Sequence, residues 1–141
     1  MREIDKIIVH CSATQEGKDI SAATIDAWHK KRGWSGIGYH YVVGLNGNIE
    51  YGRSVYSTGA HVKGHNTGSI GICYIGGVES ERGPDGKWVA KDTRTSEQKE
   101  SLLDLIKTLK RLHPDATEHG HNEFSSKSCP CFNANKEYEQ V

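Results

Sequence analysis

Ile4-Asp5-Lys6-Ile7-Ile8-Val9-His10 is the stretch whose reading decides the fold. β-branched residues crowd its centre, and a run this short suits a largely buried strand better than a helix. After it, Ser21 can cap a helix running to about residue 32, with Ile25 and Trp28 on one face and Gly33 as its stop. Residues 39–45 form a second strand, and Asn46-Gly47 is a strong hairpin signal into residues 48–51. Residues 69–76 are a further apolar strand. Residues 77–92, rich in glycine and charge, read as an exposed loop with a short hairpin about Asp85-Gly86.

The clearest helix follows. Thr95 and Gln98 make a capping box, Leu102, Leu103, Ile106, Leu109 and Leu112 recur at helical spacing, and Pro114 ends it. Residues 117–121 can be a last strand, with an irregular tail over residues 122–141. Strands and helices interleave, so the expected class is mixed α/β: one domain over residues 1–141, with a central mixed β-sheet flanked by helices.

Composition narrows the function. Lys plus Arg and Asp plus Glu each total 18 in 141 residues, so there is no cationic excess to hold a nucleic acid backbone. The apolar run at residues 7–9 is too short for a signal-peptide core or a membrane span. Synthesis in the cytoplasm is therefore expected. Four cysteines in such a chain favour thiols or metal ligands over disulfides, and eight histidines add imidazole donors.

Those donors cluster late in the chain. A lone histidine such as His10 at the end of a strand is more often structural than functional. The segment from His119 through His121, Asn122, Glu123 and Lys127 to Cys129-Pro130 is harder to dismiss, because imidazole and thiolate are the donors zinc prefers. On a strand His119 and His121 would project to one face, and spacing alone does not choose between them. A catalytic zinc needs three protein ligands and an open fourth position. Cys131, two residues after Cys129, could close that position. Lys127 could stabilise an oxyanion, and so could Tyr39, whereas His40 on the opposite side of its strand suits a supporting hydrogen bond. Gly59-Ala60-His61 through Asn66 to Ser69-Ile70-Gly71-Ile72 lacks the ending of a phosphate loop and suits the wall of a groove.

Together these segments resemble the zinc N-acetylmuramoyl-L-alanine amidases that include the T-odd phage lysozymes and the peptidoglycan recognition proteins. The motifs carrying the resemblance stand in order from about residue 7 to residue 132. They are Val9-His10-Cys11-Ser12-Ala13-Thr14, then Trp28-His29-Lys30 with Gly33-Trp34, then Gly38-Tyr39-His40-Tyr41-Val42-Val43. Gly59-Ala60-His61 with Asn66 and Ser69-Ile70-Gly71-Ile72 come next, and His121 through Lys127 to Cys129-Pro130 close the series.

The resemblance implies that His10, His121 and Cys129 hold Zn2+ in a surface groove, with Cys129 rather than Cys131 as the thiolate. It implies Tyr39 and Lys127 as catalytic residues, and His61 and Asn66 as substrate contacts. The implied reaction is hydrolysis of the amide between N-acetylmuramic acid and L-alanine. Lys127, Tyr39 and Glu123 are candidates to protonate the leaving amine. A phage or prophage endolysin, made without a signal peptide and acting on the wall after release, is the expected setting.

The expected partners are peptidoglycan or muropeptides, with no nucleic acid and no membrane, and the chain is expected to be a monomer. Two alternatives belong to other classes. A non-catalytic peptidoglycan-binding module is opposed by the presence of Tyr39, Lys127 and Cys129 together. A phage RNA polymerase-inhibiting regulator is opposed by a first strand that starts almost at Met1, where such lysozymes carry a longer polymerase-contacting segment.

Overall fold

The computed structural model describes residues 2–141. Five strands make one sheet in the order β4 (Ile49–Tyr51), β3 (Tyr41–Val43), β5 (Ser69–Tyr74), β1 (Lys6–Cys11), β7 (Thr117–Gly120). Only β3–β4 is antiparallel, joined through the Asn46-Gly47 turn; the other neighbours are parallel. A second, two-stranded sheet pairs β2 (Thr14–Gln15) with β6 (Gly77–Val78). The expected mixed sheet flanked by helices is present.

β1 lies between β5 and β7, which is why its apolar run is nearly continuous. Ile7, Val9 and Cys11 face one way, with Ile70, Ile72 and Tyr74 of β5, onto α2 (Ser96–Leu112) and α3 (Ala134–Tyr138). On the other face Val42, Cys73 and Ile75 meet α1 (Ala22–Lys31) through Ile25 and Ala22. His10 is level with Cys73, so it emerges on the α1 side at the carboxyl end of β1.

The caps form as the sequence implies. Ser21 Oγ accepts from Thr24 N–H at the start of α1. Thr95 and Gln98 complete their box, and the buried Gln98 amide also donates to Val43 O and Ile75 O. That side chain ties α2 to the ends of β3 and β5, satisfying carbonyls that would be costly to leave unpaired.

Several expectations are corrected. The tail is not irregular throughout: Asn133 caps the short helix α3, and the Arg94 guanidinium reaches Glu137 and Asp92 across it. The loop at 77–92 does turn back as a hairpin, with Glu79 N–H donating to Val89 O and Gly83 N–H to Lys87 O. The strand expected over residues 39–45 is regular only over Tyr41–Val43. Leu112 falls at the end of α2 and is exposed, and Trp28 is 39% exposed, so the core faces of both helices are narrower than expected.

Candidate metal centre and groove

The carboxyl ends of β1 and β7 set the site. His10 closes β1 and is buried. β7 stops at Gly120, and His121 opens a single 3-10 turn, His121–Glu123, so it leaves the strand rather than continuing it. The chain then returns, and Cys129 Sγ accepts from Cys11 N–H at 3.0 Å. Ligand atoms of His10, His121 and Cys129 all lie within 4.8 Å of one another.

Two imidazoles and a thiol converging at that spacing are a donor set compatible with a metal ion. Burial, with His61 and His121 nearby, holds the His10 imidazole well below its usual range, hence neutral and able to ligate. His121 is lowered as well, by burial and by the charge of Lys127.

The choice between the two late histidines comes from the end of β7. His119 Nδ1 contacts Glu123 Oε1 at 2.8 Å, and Nε2 contacts Thr117 Oγ1 at 2.7 Å. Both ring nitrogens are engaged away from His10. Glu123 also accepts from Gly120 N–H, so its carboxylate is occupied in the turn. Cys131 is turned aside, its Sγ donating to Gly77 O at 3.3 Å and lying against Cys11. It is not part of the His10–His121–Cys129 cluster, which leaves a fourth position on an ion there free of it.

Behind His10 runs a chain of hydrogen bonds that the sequence did not reveal. His10 Nε2 meets His61 Nδ1 at 2.8 Å, His61 Nε2 meets Ser69 Oγ at 3.1 Å, and Ser69 Oγ donates to Asn66 O at 3.1 Å. Read in one direction, every donor has an acceptor, and His10 Nδ1 is the nitrogen left for an ion. Glycine makes room: a Cβ on Gly71 would stand 2.7 Å from the His61 ring, and one on Gly59 equally close. Asn66 Oδ1 accepts from both His61 and Val62 N–H, fixing that loop.

Tyr39 lies beside His10, ring centroids 5.1 Å apart. Burial, with Cys73, Cys129 and Cys11 nearby, holds its phenol well above its usual value, so it remains a proton donor at neutral pH. His29 positions this segment: it is buried, accepts from Gly38 N–H through Nδ1, and packs against Tyr39 and Trp34. The Trp28-His29-Lys30 motif was the available signal for it. His40 plays the supporting part expected, accepting from Gly71 N–H at Nδ1 and donating to Ser57 O from Nε2.

In front of the cluster is a groove of about 590 Å³ lined by Arg32, Trp34, His61, Lys63, His121 and Lys127. Asn66 is on its wall. A hollow of about 710 Å³ lies at the other end of β1, around Arg2, Asp5 and Pro114, and holds none of the clustered donors. Ligands of parallel sheets bind at the carboxyl ends of the strands, so the smaller groove is the relevant one.

The Amidase_2 family profile, N-acetylmuramoyl-L-alanine amidase, matches residues 1–132. The chain belongs to this family. The endolysin of Escherichia phage T7 is 37% identical over 136 residues, covering 96% of this chain and 86% of that protein. The endolysin of Klebsiella phage KP32 is 34% identical over 139 residues, covering 99% and 88%. Among solved structures, the N-acetylmuramoyl-L-alanine amidase LysC from Clostridium intestinale URNW superposes with a TM-score of 0.79 at 28% identity, covering 96% of this chain and 82% of that one. The protein is an amidase that hydrolyses peptidoglycan, of the kind phage endolysins represent.

Proposed function

We propose that this amidase is a zinc enzyme of the endolysin type, with His10, His121 and Cys129 as metal ligands and Tyr39 and Lys127 as catalytic residues. The supporting observation is the convergence of those three donors within 4.8 Å beside Tyr39 and an open groove. Zinc bound there would supply an acidified water and a polarised scissile carbonyl.

The chain's own residues do the rest. The Tyr39 phenol donates a hydrogen bond to the carbonyl oxygen as it gains negative charge, and the Lys127 ammonium at the groove mouth adds a positive charge. One of these two protonates the departing amine of L-alanine, since Glu123 is held by His119 and Gly120. His61 and Asn66 contact the substrate from the groove wall. The Asn66 side chain would do so through Nδ2, because its Oδ1 is occupied.

The protein acts on the cell wall as a monomer after release and needs neither nucleic acid nor a membrane partner. No helix among the described residues is long and apolar enough to cross a membrane. Chelator treatment followed by stepwise return of metals tests the reading. Muropeptide cleavage should vanish with chelation and return with zinc, with mass spectrometry showing free stem peptides that begin with L-alanine. Full activity in metal-free protein would refute it.

A further inference from the structure

The amide that is cut joins two chemically different arms. The stem peptide carries free carboxylates, whereas the glycan is a neutral chain of β-1,4-linked N-acetylated pyranoses. A pyranose ring presents a C–H face that stacks on aromatic rings and a rim of hydroxyl and acetamido groups that needs hydrogen bonds.

The two flanks of the metal cluster differ in the same way. The groove on one flank is cationic, with Arg32, Lys63 and Lys127. Beyond Arg32, which borders both, a small hollow lies between Ser12, Trp28, His29 and Tyr39. Trp28 is shared with the next cleft, about 390 Å³, whose walls include Thr14, Gln15, Lys18, Val78 and Trp88. That one indole therefore borders both the hollow beside Tyr39 and the cleft.

Its walls are two indoles with a polar rim. Trp28 comes from α1 and Trp88 from the hairpin at 77–92, and they are 39% and 46% exposed. Arg82, on the facing arm of the hairpin, stacks over the Trp88 ring at 4.8 Å and steadies it. Gln15 donates to Ser80 O, which leaves its side-chain oxygen as an acceptor, and Lys18 enters no ion pair among the described residues. A concave apolar surface rimmed by a few polar groups is the form a ligand site takes, whereas singly exposed apolar side chains are ordinary.

We propose that the Trp28–Trp88 cleft binds the glycan strand of peptidoglycan, two or more β-1,4-linked N-acetyl sugars from the scissile bond, while the cationic groove takes the stem peptide. This rests on the amidase reading for the direction of the substrate, but not for sugar binding itself. The cleft fixes which way the substrate crosses the metal cluster, and it confers a preference for polymeric wall over short muropeptides.

The three tryptophans make the test internal, since Trp34 lines the cationic groove and the other two line the cleft. Indole N–H resonances of 15N-labelled protein are assigned with single Trp→Phe variants, then titrated with the β-1,4-linked tetramer of N-acetylglucosamine. Trp28 and Trp88 should shift saturably and Trp34 should not. A stem tripeptide with free carboxylates should do the reverse. In Trp88→Ala, whose side chain is exposed and outside the core, the sugar affinity should fall by about tenfold. Unmoved Trp28 and Trp88 resonances at millimolar sugar, equal affinity in Trp88→Ala, or a peptide response at these two indoles would each overturn the proposal; the last would assign the cleft to a neighbouring stem. Because binding is read without turnover, failure here is separable from failure of the zinc amidase reading, which chelation tests alone.

Discussion

At the scale of single residues, His10 is held from behind. Its ring is fixed by His61, which is fixed by Ser69, which is fixed by a backbone carbonyl. Ser69→Ala should therefore lower zinc affinity about 10- to 100-fold, the usual effect of losing an outer partner of a metal-bound imidazole. Competition with a chromogenic chelator measures it. An unchanged affinity with a raised KM would instead make His61 only a substrate contact. Lys127→Ala should keep its metal and lose turnover by about 100-fold, the scale of a missing oxyanion partner. Metal analysis beside kcat separates the two, and loss of metal would recast Lys127 as structural. Sequence took this scale far but not to its end. The late cluster of histidines with Cys129 stood out, whereas the roles of His10 and Tyr39 and the choice of His121 and Cys129 needed the resemblance, because a lone strand-end histidine is ordinary and an ideal strand would have put His119 on the same face as His121. The break after Gly120 that separates them is a local backbone event with no strong residue signal.

At the scale of elements, α2 and the tail behave differently. Leu102 is fully buried between α2 and the sheet, so Leu102→Ala should cost about 2–5 kcal/mol, measured by urea unfolding. That helix was legible because a capping box, a periodic apolar face and Pro114 agree. α3 was missed because five residues carry no measurable period, and its support comes from Arg94, far away in sequence. The Arg94 guanidinium is 3% exposed, lies 3.4 Å from the Phe132 ring centroid, and bonds Asp92 and Glu137. Burial raises the Asp92 carboxyl, but the hydrogen bonds and charge of Arg94 outweigh it and leave it lowered; Arg94 likewise lowers Glu137. Carboxyls with depressed folded-state values stabilise the protein above their unfolded values and lose that contribution as pH falls through the folded ones. The excess thermal stability of wild type over Arg94→Met should thus be full above roughly pH 5 and shrink on further acidification. A constant gap down to pH 3 would contradict the ion pairs, although both partners of Arg94 are partly solvated and the pairs contribute modestly.

At the scale of the whole molecule, the parallel order β3-β5-β1-β7 brings the carboxyl ends of β1 and β7 side by side. Residues more than a hundred apart meet there, and the turn carrying Cys129 folds back onto the backbone of Cys11. The class of the fold was readable from alternating elements. The strand order was not, because register depends on which apolar strands find each other. Cys131 shows what only the assembled molecule decides: two residues from Cys129, it is turned toward Gly77 and stays outside the His10–His121–Cys129 cluster. The central claim is that His10, His121 and Cys129 hold a catalytic zinc. The most direct measurement is zinc per chain, by plasma mass spectrometry on purified wild type and Cys129→Ser, with release of stem peptides from cell walls followed on the same samples. One zinc per wild-type chain, with both metal and release lost from a still-folded Cys129→Ser, is the expected result. Wild-type release by Cys129→Ser, or a metal content indifferent to it, would contradict the assignment.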